Sequence, residues 1–241
     1  MSKEKLKESR KDFNRWAKKY DRTFLDYVLF GRVQGRVAGL LGNLCNKAVL
    51  DVGCGTASML IKLARKNPGS YFLGIDLSEE MIKKARKKSI GLKNLEFKVL
   101  EVSKLNYPKD SFDYITSTIS FHHWPEQEKA LGRLHGLLKP GGKLIIADLS
   151  TFLFGGPGTI RKYSPDEMKE LFLNTGFEKV TQVSSTRYGN YGYGFLAAGI
   201  FIAGYGFATR NPYGYVGILA TIGGAIDLVP NLISKITIGE K

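Results

Sequence analysis

The chain has 241 residues, 43% of them hydrophobic and 24% charged, enough for one full core plus extensions. A formal net charge of +14 points to an anionic partner (an RNA, a phosphorylated metabolite or a membrane surface) or to a solvated, lysine-rich exterior. The charged opening "MSKEKLKESRKDF" has no signal-peptide pattern, and Cys45 and Cys54 form neither a disulfide framework nor a metal-ligand spacing, so a reducing, cytoplasmic setting is expected and no metal.

The positive charge is clustered: Met1 to Arg22 holds nine Lys/Arg against four Asp/Glu, and Lys83 to Lys104 holds eight against two. Between these clusters, Phe13, Trp16, Tyr20, Phe24, Tyr27 and Val28 recur at helical spacing, which predicts an N-terminal helical cap over residues 1–46. From Lys47 strands and helices alternate. "KAVLDV" reads as a strand, "SMLIKLARKN" as a helix, "SYFLGIDL" as a strand, and "SEEMIKKARKKSIG" as a helix with Ser78 as N-cap and Gly91 as C-cap. "LEFKVLEV" and "SFDYITSTISF" are further strands, "EQEKALGRLHGLL" a helix, "GKLIIADLS" the fifth strand, and "SPDEMKELFLNTG" a helix with a Ser164/Glu167 capping box. "FEKVTQVSSTR" and "GFLAAGIFI" are expected to supply the last two strands. The fold class is therefore α/β, a Rossmann-like, seven-stranded, mostly parallel sheet with helices on both faces. We place its core at residues 47–204 and an apolar extension at 205–241.

In such a sheet ligands bind beyond the carboxyl ends of the strands, where the strand order reverses. The first strand runs there into "VLDVGCGTASML". Gly53 and Gly55 allow a sharp turn and close backbone approach, and the helix that follows offers unpaired N–H groups. The second strand ends in Asp76, 23 residues after Gly53, the spacing of a carboxylate that accepts ribose hydroxyls, so the ligand contains a nucleoside. Ser58 stands where a dinucleotide fingerprint has its third glycine. Asp51, directly before the loop, suits a cationic amino group better than a pyrophosphate.

"VLDVGCGTA", "LGIDLS", "EVSKLNYPKDSFDYI", "HHW" and "LLKPGGKLIIAD", in this order, resemble the core of class I S-adenosylmethionine-dependent methyltransferases over Lys47 to Ser150. The segment "FNRWAKKYD" resembles the one preceding that core in the ubiquinone/menaquinone C-methyltransferase group. The resemblance implies S-adenosylmethionine as cofactor. Gly53, Cys54 and Gly55 would line its methionine end, Asp51 would meet its amino group, and Asp76 would hold the ribose, with Leu77 and Met81 beside the adenine. Glu101 would accept from the adenine amino group next to the Val102 N–H, and Ser117 and Thr118 would pass under the sulfur. Ala57 replaces a common glycine, and "LEVSKLNYP" replaces the usual Gly-Asp-Ala and Leu-Pro pattern. Tyr20 closes the pocket or serves as a core aromatic.

His122 and His123 follow the fourth strand, where acceptor and methyl donor meet, and one of the two is expected to face the acceptor as a general base; packing of the imidazole is the alternative. Tyr188 to Thr209 is a run of 22 residues without a charge, and Asn211 to Ile226 another of 16. The later part is apolar enough for an interfacial helix, a helix packed on the core, or a homodimer contact. "RNPYGY" at 210–215 is read as a loop. The function expected is methyl transfer to a small or lipid-like acceptor, peripheral to a membrane surface. RNA methylation, supported chiefly by charge, and a non-catalytic S-adenosylmethionine-binding module stand as alternatives.

Overall fold

The computed structural model describes residues 24–148, 160–184 and 235–241, together with Arg10, Lys11, Asn14 and Ala17. Tyr20, the segment 194–202, the loop 210–215 and most of the apolar extension lie outside the described residues.

Seven strands form one sheet: β1 (Ala48–Val52), β2 (Tyr71–Asp76), β3 (Leu95–Val99), β4 (Phe112–Thr118), β5 (Leu138–Ala147), β6 (Lys179–Val183) and β7 (Ile236–Glu240). Their order is β3-β2-β1-β4-β5-β7-β6. Strands β1 to β5 pair in parallel, and β7 lies antiparallel to both β5 and β6. Among the described residues five continuous α-helices accompany them: α1 (Phe24–Leu40), α2 (Ser58–Lys66), α3 (Glu79–Lys88), α4 (Gln127–Leu137) and α5 (Pro165–Asn174).

Each face of the sheet has its own apolar layer. On one, Val33, Val37 and Leu41 of and after α1 join Leu60 and Ala64 of α2, Ile82 and Ala85 of α3, and Val49, Phe72 and Phe97 of the strands. On the other, Leu131 and Leu134 of α4 and Met168 and Phe172 of α5 cover Leu50, Leu73, Ile115 and Leu144. A parallel strand covered on both sides is buried along its length, and "AVLDV" buries every residue from Val49 onward, with Asp51 its one polar side chain. At the start of the strands Asp113 accepts from the Ala48 N–H at 2.9 Å, Lys47 Nζ at 3.0 Å and Lys139 Nζ at 2.7 Å, fixing β1, β4 and β5 in register.

Two helix starts follow the residues expected to cap them. Ser78 Oγ accepts from the Met81 N–H, and Ser164 and Glu167 form a reciprocal capping box with Pro165 in the first turn. The end of α3 differs: Ser89 is the C-cap, and Gly91 adopts its left-handed φ of 89° two residues later.

The far edge also differs from the sequence reading. The strand between β5 and β6 is Ile236–Glu240, from the segment expected to lie beyond the core. Its alternating Ile236, Thr237 and Ile238 fit a strand whose two faces both meet apolar layers, and Ile236 is fully buried. The C-terminal residues are therefore part of the sheet. Among the described residues, no helix is long and apolar enough to cross a membrane.

Candidate functional site

Strand order reverses between β1 and β4, and the residues expected to bind the ligand gather at their carboxyl ends. The glycine loop is pinned to β2: the N–H groups of Gly53 and Cys54 both donate to the Ile75 carbonyl, at 2.8 and 3.0 Å. Gly53 has φ 74°, and a Cβ there would stand 1.9 Å from Ser120 Oγ, so loop and β4 extension touch at a position that excludes side chains. Gly74 plays the matching role beneath the loop. A Cβ on it would meet Cys54 Sγ at 2.8 Å, Phe97 at 2.9 Å and Leu60 at 3.0 Å.

Two carboxylates flank this loop. Thr116 Oγ1 donates to Asp51 Oδ1 at 2.7 Å, while Asp76 accepts from the Gly55 N–H at 2.9 Å and the Ser78 N–H at 2.8 Å. Burial pushes the Asp51 carboxyl up to about 7 against the pull of the Thr116 hydroxyl, and the charge of Asp76 adds to the rise. Asp76 is raised by burial too, opposed by the N–H groups of Ser78, Gly55 and Leu77. The same burial drives the Cys54 thiol well above its ordinary value, so it lines the loop as an apolar group and not as a thiolate.

Around them, Met81 and Val102 are buried, and Leu77 is half-buried. Glu101 accepts from Ser103 Oγ at 2.6 Å and has Lys104 Nζ at 3.9 Å. Leu100 donates its N–H to the Asp76 carbonyl at 2.9 Å, bringing the Glu101 turn beside Asp76. Ser117 Oγ and Thr118 Oγ1 are buried with no hydrogen-bond partner among the described residues. Ile119, next in line, takes a left-handed φ of 53°, which a β-branched residue adopts only where its surroundings impose it.

These features fit S-adenosylmethionine. Among the described residues neither Asp51 nor Asp76 has a cationic partner, the Ser117 and Thr118 hydroxyls have no hydrogen-bond partner, and a Cβ at Gly55 would meet nothing within 4 Å, so the backbone there is open to a ligand.

The two histidines separate sharply. His122 is buried, and Asp148 Oδ2 accepts its main-chain N–H at 2.6 Å while Asp148 Oδ1 meets its Nδ1 at 2.6 Å. Its carbonyl accepts the Ile160 N–H at 2.8 Å, which anchors Ile160 to this turn. His123 is half-buried, with its ring centroid 3.8 Å from that of His122. Trp124 Nε1 donates to Ser120 Oγ at 3.1 Å, holding the serine that faces Gly53. Gly74, Ser120 and Asp148 were not singled out in the sequence. The acid closing "LIIAD" was the available signal for Asp148, since β5 runs beside β4 and its carboxyl end reaches the same crevice.

Comparison with known proteins agrees. The methyltransferase domain family matches residues 45–190, and the chain belongs to this family. The core it contains is of the class I, S-adenosylmethionine-dependent kind. The chain is 40% identical over 113 residues to the ubiquinone/menaquinone biosynthesis C-methyltransferase UbiE of Rickettsia massiliae, a stretch covering 44% of this chain and 45% of that protein. The chain thus matches about half the length of these curated relatives. A methyltransferase from Aquifex aeolicus described as SAM dependent is 29% identical with a TM-score of 0.59, over 70% of this chain and 92% of that one. A Haloferax volcanii protein solved in complex with the Trm112 methyltransferase activator shares the fold at TM-score 0.70 and 19% identity, over 96% of both chains.

Proposed function

We propose that this methyltransferase acts on a small or lipid-like acceptor, with an electron-rich ring carbon as the first candidate. Support for that acceptor comes from the matched relatives, which are named as C-methyltransferases of ubiquinone/menaquinone biosynthesis. The observation that carries the site is the pair of desolvated carboxylates, Asp51 and Asp76, on either side of the Gly53–Gly55 turn.

When bound, the sulfonium cofactor supplies an electrophilic methyl group with a neutral thioether as leaving group. Asp51, steadied by Thr116, would hold the ammonium, and Asp76 would take the ribose hydroxyls on the lone pairs its two N–H donors leave open. Glu101 and the Val102 N–H would mark the adenine edge, and the Ser117 and Thr118 hydroxyls would complete the floor. Orientation of this kind contributes up to about 7–11 kcal/mol. A ring carbon becomes nucleophilic when a neighbouring hydroxyl loses its proton. With Nδ1 committed to Asp148, the His122 ring keeps Nε2 for that proton, a general-base contribution of about 10²–10⁴ in rate.

The test is full-length protein with methyl-labelled cofactor and cell extract, untreated or ribonuclease-treated, each split into solvent-extractable lipid, aqueous metabolite and RNA fractions. Label in the lipid or metabolite fraction supports the reading. Label that needs intact RNA replaces it with RNA methylation, which the net charge of +14 would favour.

A further inference from the structure

Helices α2 and α3 cover the same face of the sheet, and their inward residues share one apolar layer with β1, β2 and β3. Their outward residues are basic: Lys62, Arg65 and Lys66 on α2, Lys83 and Lys87 on α3, all exposed. Lys83 and Lys87 stand four apart on one helix face, where like charges oppose the helix instead of supporting it. The acids of this face are Glu79 and Glu80 in the first turn of α3, and Glu79 is paired with Arg10. Just past the last turn of α3, between Lys88 and Lys93, Ile90 is 83% exposed. Lys88 Nζ donates to Thr56 Oγ1 and Ser58 Oγ, each at 2.9 Å, tying this end of α3 to the loop that carries Gly53 and Gly55.

We propose that the α2–α3 face docks on an anionic lipid surface, the basic side chains against the headgroups and Ile90 in the interfacial layer. Charge complementarity selects an anionic partner, and the apolar residue selects a bilayer among anions. An isoleucine with most of its surface in water gains nothing from the fold but gains burial at a headgroup–acyl boundary ringed by cations. A nucleic-acid surface would instead place aromatic rings among the cations for base stacking. The exposed aromatic on these strands, Tyr71, donates its hydroxyl to Glu96 at 2.7 Å, and a carboxylate there repels phosphate. The surface is independent of the acceptor assigned above, so either can fail alone.

Sedimentation of the full chain with phosphatidylglycerol vesicles, against phosphatidylcholine vesicles as control, reads the surface directly. The full chain should favour the anionic vesicles at low salt and lose them as salt rises. Lys83→Gln/Lys87→Gln should lower the partition constant about 25-fold, fivefold for each charge removed. Ile90→Ser should lower it several-fold at unchanged charge, and both variants should keep wild-type melting temperature and S-adenosylhomocysteine affinity. Vesicle binding unchanged in both variants overturns the proposal, as does a full chain that ignores anionic vesicles while binding a single-stranded oligonucleotide through Lys83 and Lys87.

Discussion

Asp148 holds His122 twice, at its main-chain N–H and at its ring Nδ1, each at 2.6 Å, with both side chains 4% exposed. A carboxylate at Nδ1 fixes the ring and leaves Nε2 as its basic atom. Replacing Asp148 by Asn keeps the shape and removes the charge. Turnover on the true acceptor should fall about 100-fold, while calorimetric affinity for S-adenosylhomocysteine stays within about twofold. An equal loss in both would show that Asp148 only holds the loop in place.

Asp51 makes cofactor affinity depend on pH. In the ligand-free protein burial raises its carboxyl to about 7, above the 3.8 of an unperturbed aspartate, so the folded chain carries a proton there that the unfolded chain has lost. Its contribution to stability is fully present below the unfolded value and is lost as pH rises through about 7. A bound ammonium reverses the preference, because it favours the ionised form. Affinity should therefore rise with pH up to about 7 and level off above, with proton release on binding below that point. Calorimetry in buffers of different ionisation enthalpy measures the release, and Asp51→Asn should abolish it.

Gly53→Ala should cost about 2–4 kcal/mol, from a left-handed φ of 74° and a Cβ placed 1.9 Å from Ser120 Oγ. Ser120→Gly in the same chain should recover the steric part and leave the backbone part. Thermal denaturation of the single and double variants separates the two. A single variant as stable as the parent would mean that loop and β4 extension part easily.

Deleting residues 236–241 should destroy the sheet edge and not merely shorten a tail. The deletion removes β7 from between β5 and β6, with the fully buried Ile236 and the Lys241 Nζ bond to Asp110 at 2.7 Å. Both neighbouring strands would then expose unpaired backbone. We expect aggregation or loss of cooperative unfolding. A soluble, cooperatively folding truncated protein would contradict this.

Much of the fold was legible because its signals are local. Buried strands such as "AVLDV" are apolar except for the acid they carry to the site, Ser78 and Ser164 announce their helices, and Asp51, Gly53 and Asp76 lie within one βαβ unit. What escaped depends on distant segments. The strand Ile236–Glu240 follows β6 only after a long apolar interval, and a nearer apolar run, 194–202, fitted the same slot equally well by composition. Gly74 matters because Cys54, Phe97 and Leu60 converge above it, and sequence gives no measure of that crowding. Asp148 and His122 lie 26 residues apart, and only the parallel pairing of β4 with β5 makes them partners. Of the two adjacent histidines the sequence could say that one would face the acceptor, but not that His122 is the buried one.

Titration of S-adenosylhomocysteine into the full chain and into Asp76→Ala and Asp76→Asn, followed by calorimetry, tests the central assignment most directly. A carboxylate that accepts ribose hydroxyls while holding the Gly55 and Ser78 N–H groups should contribute about 1.5–3 kcal/mol, so the alanine variant should bind roughly 10- to 150-fold more weakly. Asparagine, which keeps an acceptor but loses the charge, should fall between the two. Parent-level affinity in both folded variants would contradict the account and remove Asp76, and with it the Gly53–Gly55 crevice, from the cofactor site.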